Sequence, residues 1–501
     1  MTQPLPHSAP EQQGIPSQAV LDFIDAVESK IEHAHSFVLM RCGVVVAEGA
    51  WAPYALDNPH ILYSLSKSFT STAVGLAISE DRLSLDDPVI SFYPEQLPAE
   101  VSPNLAAMRV RHLLSMSTGH AENVSELMMT DPDQNWEKAF LAAPVDFPPG
   151  THFVYDNGAT YMLSSILQKT TGETVLQYLT PRLFEPLGIQ NPTWETNPAG
   201  INVGFKGLML KTEDIARFGQ LYLEKGVFQG RRILPEDWVT LATAKHVDNA
   251  GPGEDPDLID WGQGYGFQFW RCRHNAYRGD GAFGQFCVIM PDQQAVLAVN
   301  GGMDPMQPLL NAAWEHLLPA MQPGPLPEDP TAAQKLAERL SNLAIPAPAD
   351  SALEPTAVTA FERIAGKTYR LEPNYRKINT LRFTQSGDRL TLETDRYSQH
   401  YGLDRWLEGQ SIAYLPYTTE MILTSGLDEA AAAALVLKAA SSASWTAPDT
   451  LVLTARMVET PFVQTITCRF DGDRMTLDEK AHVSFGPLNA PQITGKMEES
   501  A

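Results

Sequence analysis

The spacing of apolar and polar residues along this chain of 501 residues changes character twice. Over residues 17–31, Val20, Phe23, Ile24, Val27 and Ile31 recur at three-and-four intervals, which predicts an amphipathic helix with Ser17 placed to cap it. Residues 36–47 (SFVLMRCGVVVA) are apolar strand material interrupted by Arg41-Cys42-Gly43, the pattern of a hairpin. A second helix begins after Pro59, and helical stretches then alternate with Pro/Gly turns to about Leu241. From Gly264 the texture is again that of strands: YGFQFWRC, QFCVIM and AVLAV, parted by Gly-rich and Pro-Asp turns. Strands at both ends with helices between them predict one sheet closed by distant segments of the chain, an α/β or α+β arrangement.

Between Pro319 and Pro355 proline and alanine crowd the chain, with one helix-like segment at Ala332–Leu343. Beyond it the pattern alternates with period two, and TLRFTQSGDRLTLE and TITCRFDGDRMTLDE both read as strand, Gly-Asp turn, strand. The expected organisation is therefore a domain over 1–320, a linker over 321–355 and an antiparallel β domain over 356–501. The run Ala430–Ala440 breaks the alternation and is expected as a short helix or a mobile insertion. Three roles stay open for the β domain: capping a cleft, mediating a dimer, or holding a ligand in a lipocalin-like barrel.

Composition narrows the function. With 44% hydrophobic and 19% charged residues the chain is of ordinary globular type, and no apolar run approaches the roughly 20 residues of a membrane span. The first 29 residues have neither a basic start nor an apolar centre, so a cytoplasmic location is expected. A formal net charge of −24 repels polyanions and makes nucleic acid and anionic membranes poor partners. Cys42, Cys272, Cys287 and Cys468 lack paired metal-ligand spacing, and Cys272 with His274 is two ligands short of a zinc site, so no metal is assigned. Gly279, Gly281 and Gly284 match G-x-G-x-x-G, but QFCVIMP after them is a strand rather than the helix that would receive a pyrophosphate, and no cofactor is expected.

The chemistry concentrates at Tyr63-Ser64-Leu65-Ser66-Lys67-Ser68-Phe69-Thr70, the opening of the second helix. Residues three apart on a helix are neighbours, so the Lys67 amine lies within reach of the Ser64 hydroxyl. A hydroxyl needs an adjacent base to become a nucleophile near neutral pH, which lysine supplies when its charged form is disfavoured. The second element is Tyr155-Asp156-Asn157, where a phenol acidified by a nearby ammonium would relay the proton and the Asn157 amide would orient lysine or a substrate carbonyl. His112, His120 and His152 have no Gly-x-Ser-x-Gly elbow to serve and are read as structural, as are Ser115 and Ser117. Tyr265, Phe267, Phe269 and Trp270 are read as core and pocket wall.

Together with RHLLSMSTGH (111–120) and GLMLKTEDIARFGQLYLEKG (207–226), these motifs resemble the serine β-lactamase, penicillin-binding and esterase superfamily, class C type, over residues 10–320. Within it the chain is similar to esterases and nylon-oligomer hydrolases. The resemblance implies Ser64 as nucleophile, Lys67 as its activating partner, Tyr155 as general base and acid, Asn157 as a positioning group, and an acyl-enzyme. The superfamily's third element, Lys or His, any residue, Gly, is matched by Arg278-Gly279-Asp280-Gly281-Ala282. Gly279 has no side chain to hold a substrate carboxylate, with Arg278 the one candidate to replace it. The Ala282 N–H with that of Ser64 would still form an oxyanion hole, worth about 3–4 kcal/mol per donor. The expected function is a serine hydrolase of a small ester or amide. A β-lactamase or D-amino-acid peptidase is the alternative, and a non-catalytic acyl-binding pseudoenzyme the reading of another class. The sequence leaves the oligomeric state open, a dimer included.

Overall fold

A computed structural model of the chain describes residues 4–251, 253, 255–348, 361–412 and 436–498. Of these, 4–50 and 56–342 form one compact unit, while 51–55 and the described residues after 342 form the other.

In the first unit α1 (Ser17–Lys30) leads into the hairpin β1 (Ala34–Arg41) and β2 (Val44–Ala50), followed by α2 (Ser66–Ser79), α3 (Asn157–Thr171) and α4 (Thr212–Leu223). The chain then returns as β3 (Trp270–Arg271), β4 (Tyr277–Gly281), β5 (Gln285–Met290) and β6 (Ala295–Gly301), and ends on α5 (Pro330–Ser341). The six strands form one sheet in the order β2-β1-β6-β5-β4-β3, antiparallel throughout, so that distant segments meet where β1 pairs with β6, Val38 opposite Ala298. Alternate side chains divide its two faces. Val38, Met40, Cys287, Ile289, Val296 and Ala298 join the large core shared with α2, α3 and α4. Phe37 meets Phe23 of α1 edge-on at 5.9 Å on the other face. With both faces covered, every residue of β1, β5 and β6 is buried, which explains why these strands read as continuous apolar runs.

Three expectations change in detail. Ser17 is the first residue of α1 and does not cap it; its N–H donates to the buried Glu11 carboxylate at 2.7 Å, which does the capping from six residues upstream. YGFQFWRC is irregular except for the two residues of β3, because Gln268 holds a left-handed backbone with φ 64°. The helix expected inside the linker is α5, which buries Ala332 and Leu336 and ion-pairs Arg339 to Asp25 at 3.4 Å and to Glu28, both on α1 of the first unit.

The second unit is a β-barrel of β7 (Thr368–Leu371), β8 (Thr380–Ser386), β9 (Arg389–Thr394), β10 (Ser398–Leu403), β11 (Leu407–Ile412), β12 (Val436–Ala447), β13 (Thr450–Met457), β14 (Val463–Asp471), β15 (Arg474–Ala481) and β16 (Ile493–Met497). Neighbours run antiparallel except at the closure, where β10 meets β12 in parallel at Gly402–Ser442 and Leu403–Ala443 and leaves β11 outside a ring of nine strands. An odd ring of alternating strands must contain one parallel pair, and this is it. The two Gly-Asp hairpins expected from sequence are present, Gly387 and Gly472 taking φ of 61° and 60° at the first loop position. The inward residues, among them Tyr369, Leu381, Phe383, Tyr401, Trp445 and Ile466, pack as one cluster, so the barrel has a filled core. Within the expected 430–440 helix, residues 436–440 are strand; 430–435 lie outside the described residues. Residues 51–55 join this unit through Ala52, whose N–H donates to Leu343 O at 3.0 Å and whose carbonyl accepts from Ile345 N at 2.7 Å.

Candidate active site

Ser64 sits in a single tight turn, Tyr63–Leu65, that runs directly into α2. From Ser66 to Ala77 that helix is buried on all sides, so its hydroxyls must find partners within the protein. Ser68 donates to Gln268 O at 2.8 Å, Thr70 to Gly204 O at 2.9 Å, and Ser71 to Phe267 O at 2.7 Å. These bonds hold the helix rigidly, and with it the two residues at its head. Lys67, 1% exposed, donates from Nζ to Ser64 Oγ at 2.8 Å and to Phe205 O at 3.2 Å, whereas Ser64 itself is partly exposed. Tyr63 takes a left-handed φ of 45°, a conformation costly for a bulky residue, and its ring meets Phe283 edge-on at 6.2 Å.

Tyr155 reaches the same point from the segment that enters α3. Lys67 Nζ lies 4.6 Å from the centre of its ring, and the phenol interacts with the Ser64 side chain. Trp270 stacks on it at 5.2 Å and 22°, and Tyr265 meets it edge-on at 6.3 Å. The fold therefore brings Ser64, Lys67 and Tyr155 together, with the buried Trp270 and Tyr265 packed on the phenol ring. The phenol is not acidified as expected. Burial, reinforced by the negative charge of Asp280, pushes its pKa well above the ordinary tyrosine value, outweighing the Ser64 bond and the Arg278 charge.

The third element lies on β4 and faces two ways. Gly279 and Gly281 turn toward α2: a Cβ on Gly279 would stand 2.5 Å from both Leu65 Cδ1 and Ser68 Oγ, and one on Gly281 would stand 2.0 Å from Leu62 O. Only glycine permits this approach, which sets Ala282 beside the turn that carries Ser64. Arg278 and Asp280 occupy the opposite face. Arg278, fully buried, donates from Nε to Asp280 Oδ2 at 2.8 Å and from Nη1 to Asp260 O at 2.8 Å and Cys272 Sγ at 3.0 Å, with Trp261 4.2 Å from its guanidinium. Three of its contacts are thus internal to the protein, and Nη2 is buried with no hydrogen-bond partner among the described residues. Burial raises the Asp280 carboxyl above the usual range, while the Arg278 charge beside it pulls toward ionisation. Burial also pushes the Cys272 thiol up to about 11, and the His274 ring meets Trp314 edge-on at 5.4 Å.

Asn157 opens α3. Its N–H donates to Asn123 Oδ1 at 3.1 Å, and its own side-chain Oδ1 is buried with no hydrogen-bond partner among the described residues. The structure adds groups that the motif reading passed over. Asp156 caps α3 through Gly158 N at 2.8 Å and faces His120 Nδ1 at 3.5 Å. Gln268 ties the site together, accepting from Thr160 Oγ1 at 2.8 Å and donating to Leu113 O and Leu114 O at 3.1 and 2.9 Å. A polar residue inside YGFQFW was the available sign of Gln268; nothing local marks the Asp156–His120 pair. His112 accepts from Arg109 N at 3.1 Å, and burial with the Arg111 and Arg109 charges lowers its pKa to about 4, in keeping with a structural role. Ser115 and Ser117 bond each other at 2.7 Å, and the exposed His152 stacks on Phe147. Among the described residues no helix is long and apolar enough to cross a membrane.

This arrangement has counterparts elsewhere. The chain is 25% identical over 248 residues to a 6-aminohexanoate-dimer hydrolase of Paenarthrobacter ureafaciens, 46% of this chain and 63% of that one, so it matches somewhat less than two thirds of that relative's length. A D-aminopeptidase of Brucella anthropi is 27% identical over 175 residues, 30% of this chain and 31% of its own. Among solved structures, a Bacillus anthracis protein provisionally assigned as a 6-aminohexanoate-dimer hydrolase superposes with a TM-score of 0.53 at 20% identity, over 65% of this chain and 89% of its own, a likeness of fold. The Beta-lactamase family model matches residues 23–301, a span that starts in α1, ends with β6 and contains every residue of the Ser64 cluster, and the chain belongs to that family.

Proposed function

We propose that the protein is a serine hydrolase that cleaves a small ester or amide through an acyl-enzyme on Ser64. One observation carries the reading: the Lys67 ammonium nitrogen, buried, stands 2.8 Å from a partly exposed serine oxygen beneath the Tyr155 phenol. In the reactive form Lys67 is neutral and takes the Ser64 proton as Oγ attacks the substrate carbonyl. The tetrahedral oxyanion is received by the N–H groups of Ser64 and Ala282. Tyr155, protonated at neutral pH, serves as the proton donor to the leaving group and is reprotonated from Lys67. Water then attacks the ester on Ser64, and the same groups return the protons.

Against a β-lactam or peptide-carboxylate substrate stands the third element, where Gly279 packs on α2 and Arg278 is paired to Asp280. The test is intact-mass labelling of wild type and Ser64→Ala with a fluorophosphonate and with penicillin, followed by a p-nitrophenyl ester series. The expected result is one fluorophosphonate adduct on wild type, none on Ser64→Ala, and no penicillin adduct. Rapid penicillin turnover would move the assignment to a β-lactamase, and a folded protein that takes no label would end it in favour of a pseudoenzyme.

A further inference from the structure

Gln268, 2% exposed, holds its backbone at a φ of 64°, a left-handed conformation that a residue with a Cβ disfavours and that surrounding contacts must maintain. Each of its polar atoms is engaged. The carbonyl accepts from Ser68 Oγ at 2.8 Å, on α2 one turn beyond Ser64. The N–H donates to Leu114 O at 3.1 Å, and the side-chain Nε2 donates to Leu113 O and Leu114 O at 3.1 and 2.9 Å, at the end of the short helix Val110–Leu114. The side-chain Oε1 accepts from Thr160 Oγ1 at 2.8 Å, in the opening turn of α3. These partners converge on Tyr155. Just past Leu114, Met116 accepts from Val154 N through its carbonyl at 2.9 Å and from Asp156 N through its sulfur at 3.3 Å, which grips both chain neighbours of Tyr155. Thr160 fixes the helix that Tyr155 leads into, and Trp270, two residues beyond Gln268, stacks on the phenol at 5.2 Å.

We infer that Gln268 is a positioning residue that sets the separation between the Ser64–Lys67 turn and the Tyr155 phenol. Its main chain holds α2 while its side chain holds α3 and the segment behind Tyr155, so one buried residue spans the two halves of the site. Hydrogen bonds tolerate only a few tenths of an ångström, and with water excluded neither the Ser68 nor the Thr160 hydroxyl has solvent to turn to. Glycine would adopt this φ without strain, yet it lacks the amide that bonds Thr160, Leu113 and Leu114. The effect on rate rests on the hydrolase reading; the effect on where Tyr155 sits does not.

The test uses Gln268→Leu, which removes the amide, Thr160→Val, which breaks the bond to α3 alone, and Thr160→Ser, which keeps the hydroxyl. Tyr222→Phe is the control, because it removes a 2.7 Å bond to Thr72 that is equally buried on α2 but leads to α4 rather than to Tyr155. Each protein is assayed for kcat and KM with p-nitrophenyl acetate, for thermal unfolding, and for the Tyr155 resonance of ¹³Cζ-tyrosine protein, assigned with Tyr155→Phe. Gln268→Leu should lower kcat by about tenfold or more with KM held within about threefold, the signature of misplaced reacting groups. Thr160→Val should lower kcat by about threefold or more, and Thr160→Ser should restore it to within about twofold. The Tyr155 resonance should move in Gln268→Leu and Thr160→Val and stay in Tyr222→Phe, which should lose melting temperature alone. Wild-type kcat in Gln268→Leu, or an equal loss of kcat in Tyr222→Phe, overturns the positioning role and leaves the hydrolase standing. If Gln268→Leu does not fold, the Thr160 pair decides: wild-type kcat and an unmoved resonance in Thr160→Val overturn the role. If wild type neither hydrolyses the ester nor takes fluorophosphonate, the hydrolase reading fails by itself, and the resonance decides the placement, an unmoved signal overturning it.

Discussion

Replacing Gly281 by alanine adds one methyl group where the protein has no room for it. The Cβ would lie 2.0 Å from Leu62 O and 3.1 Å from Gln285 Cβ, and the first of these is backbone, which no rotamer change can move aside. Restoring an ordinary contact of 3.4 Å requires β4 and the turn bearing Ser64 to separate by about 1.4 Å. On the proposed mechanism such a displacement withdraws the Ala282 N–H from the oxyanion, and loss of one preorganised donor costs about 3–4 kcal/mol, or about 10²–10³ in rate. The packing strain itself should lower stability by about 1–3 kcal/mol. The assays are kcat/KM for p-nitrophenyl acetate, the rate of fluorophosphonate labelling, and thermal unfolding. Gly324→Ala, where an added Cβ meets nothing within 4 Å, is the control and should change stability by no more than about 0.5 kcal/mol. A Gly281→Ala protein with wild-type rates and melting temperature would refute the placement of the third element against the Ser64 turn.

Further outcomes follow from the same geometry. Asp280→Asn leaves the fully buried Arg278 without its counter-charge and should cost about 3–5 kcal/mol in urea unfolding, most of it recovered when Arg278→Met is combined with Asp280→Leu. Tyr155 should show no tyrosinate signal at pH 10 in a ¹³Cζ-tyrosine spectrum, because burial and Asp280 hold the phenol protonated. His112, lowered to about 4, should stay neutral in ¹⁵N spectra at pH 5; since the unfolded chain takes up its proton near 6.5, stability should fall as pH drops from there toward 4. Asp214, raised to about 6 by burial on α4, binds its proton more tightly folded than unfolded, so its ionisation opposes folding above pH 6. Asp214→Asn should therefore raise the melting temperature at pH 7, with the gain gone by pH 4.

The local part of the site was legible in the residue order. Helix geometry puts Ser64 and Lys67 side by side whatever surrounds them, and alternation puts Gly279 and Arg278 on opposite faces of a strand. The strands β1, β5 and β6 announced themselves because burial on both faces demands unbroken apolar runs. What the tertiary structure alone decided depends on groups far apart in the chain. The ionisation of Tyr155 is set first by burial under Trp270 and then by Asp280, 125 residues away, so a reading based on the nearby ammonium took the wrong direction. Arg278 reads as a free positive charge in sequence, whereas in space it is buried and paired to the Asp280 carboxylate, with the Asp260 carbonyl and the Cys272 sulfur also accepting from it. The cap of α1 came from Glu11, and the parallel closure of the barrel from β11 stepping out of the ring. Spacing governs which side chains share a face; only packing governs which charges meet and how much water is left between them, and those quantities set reactivity.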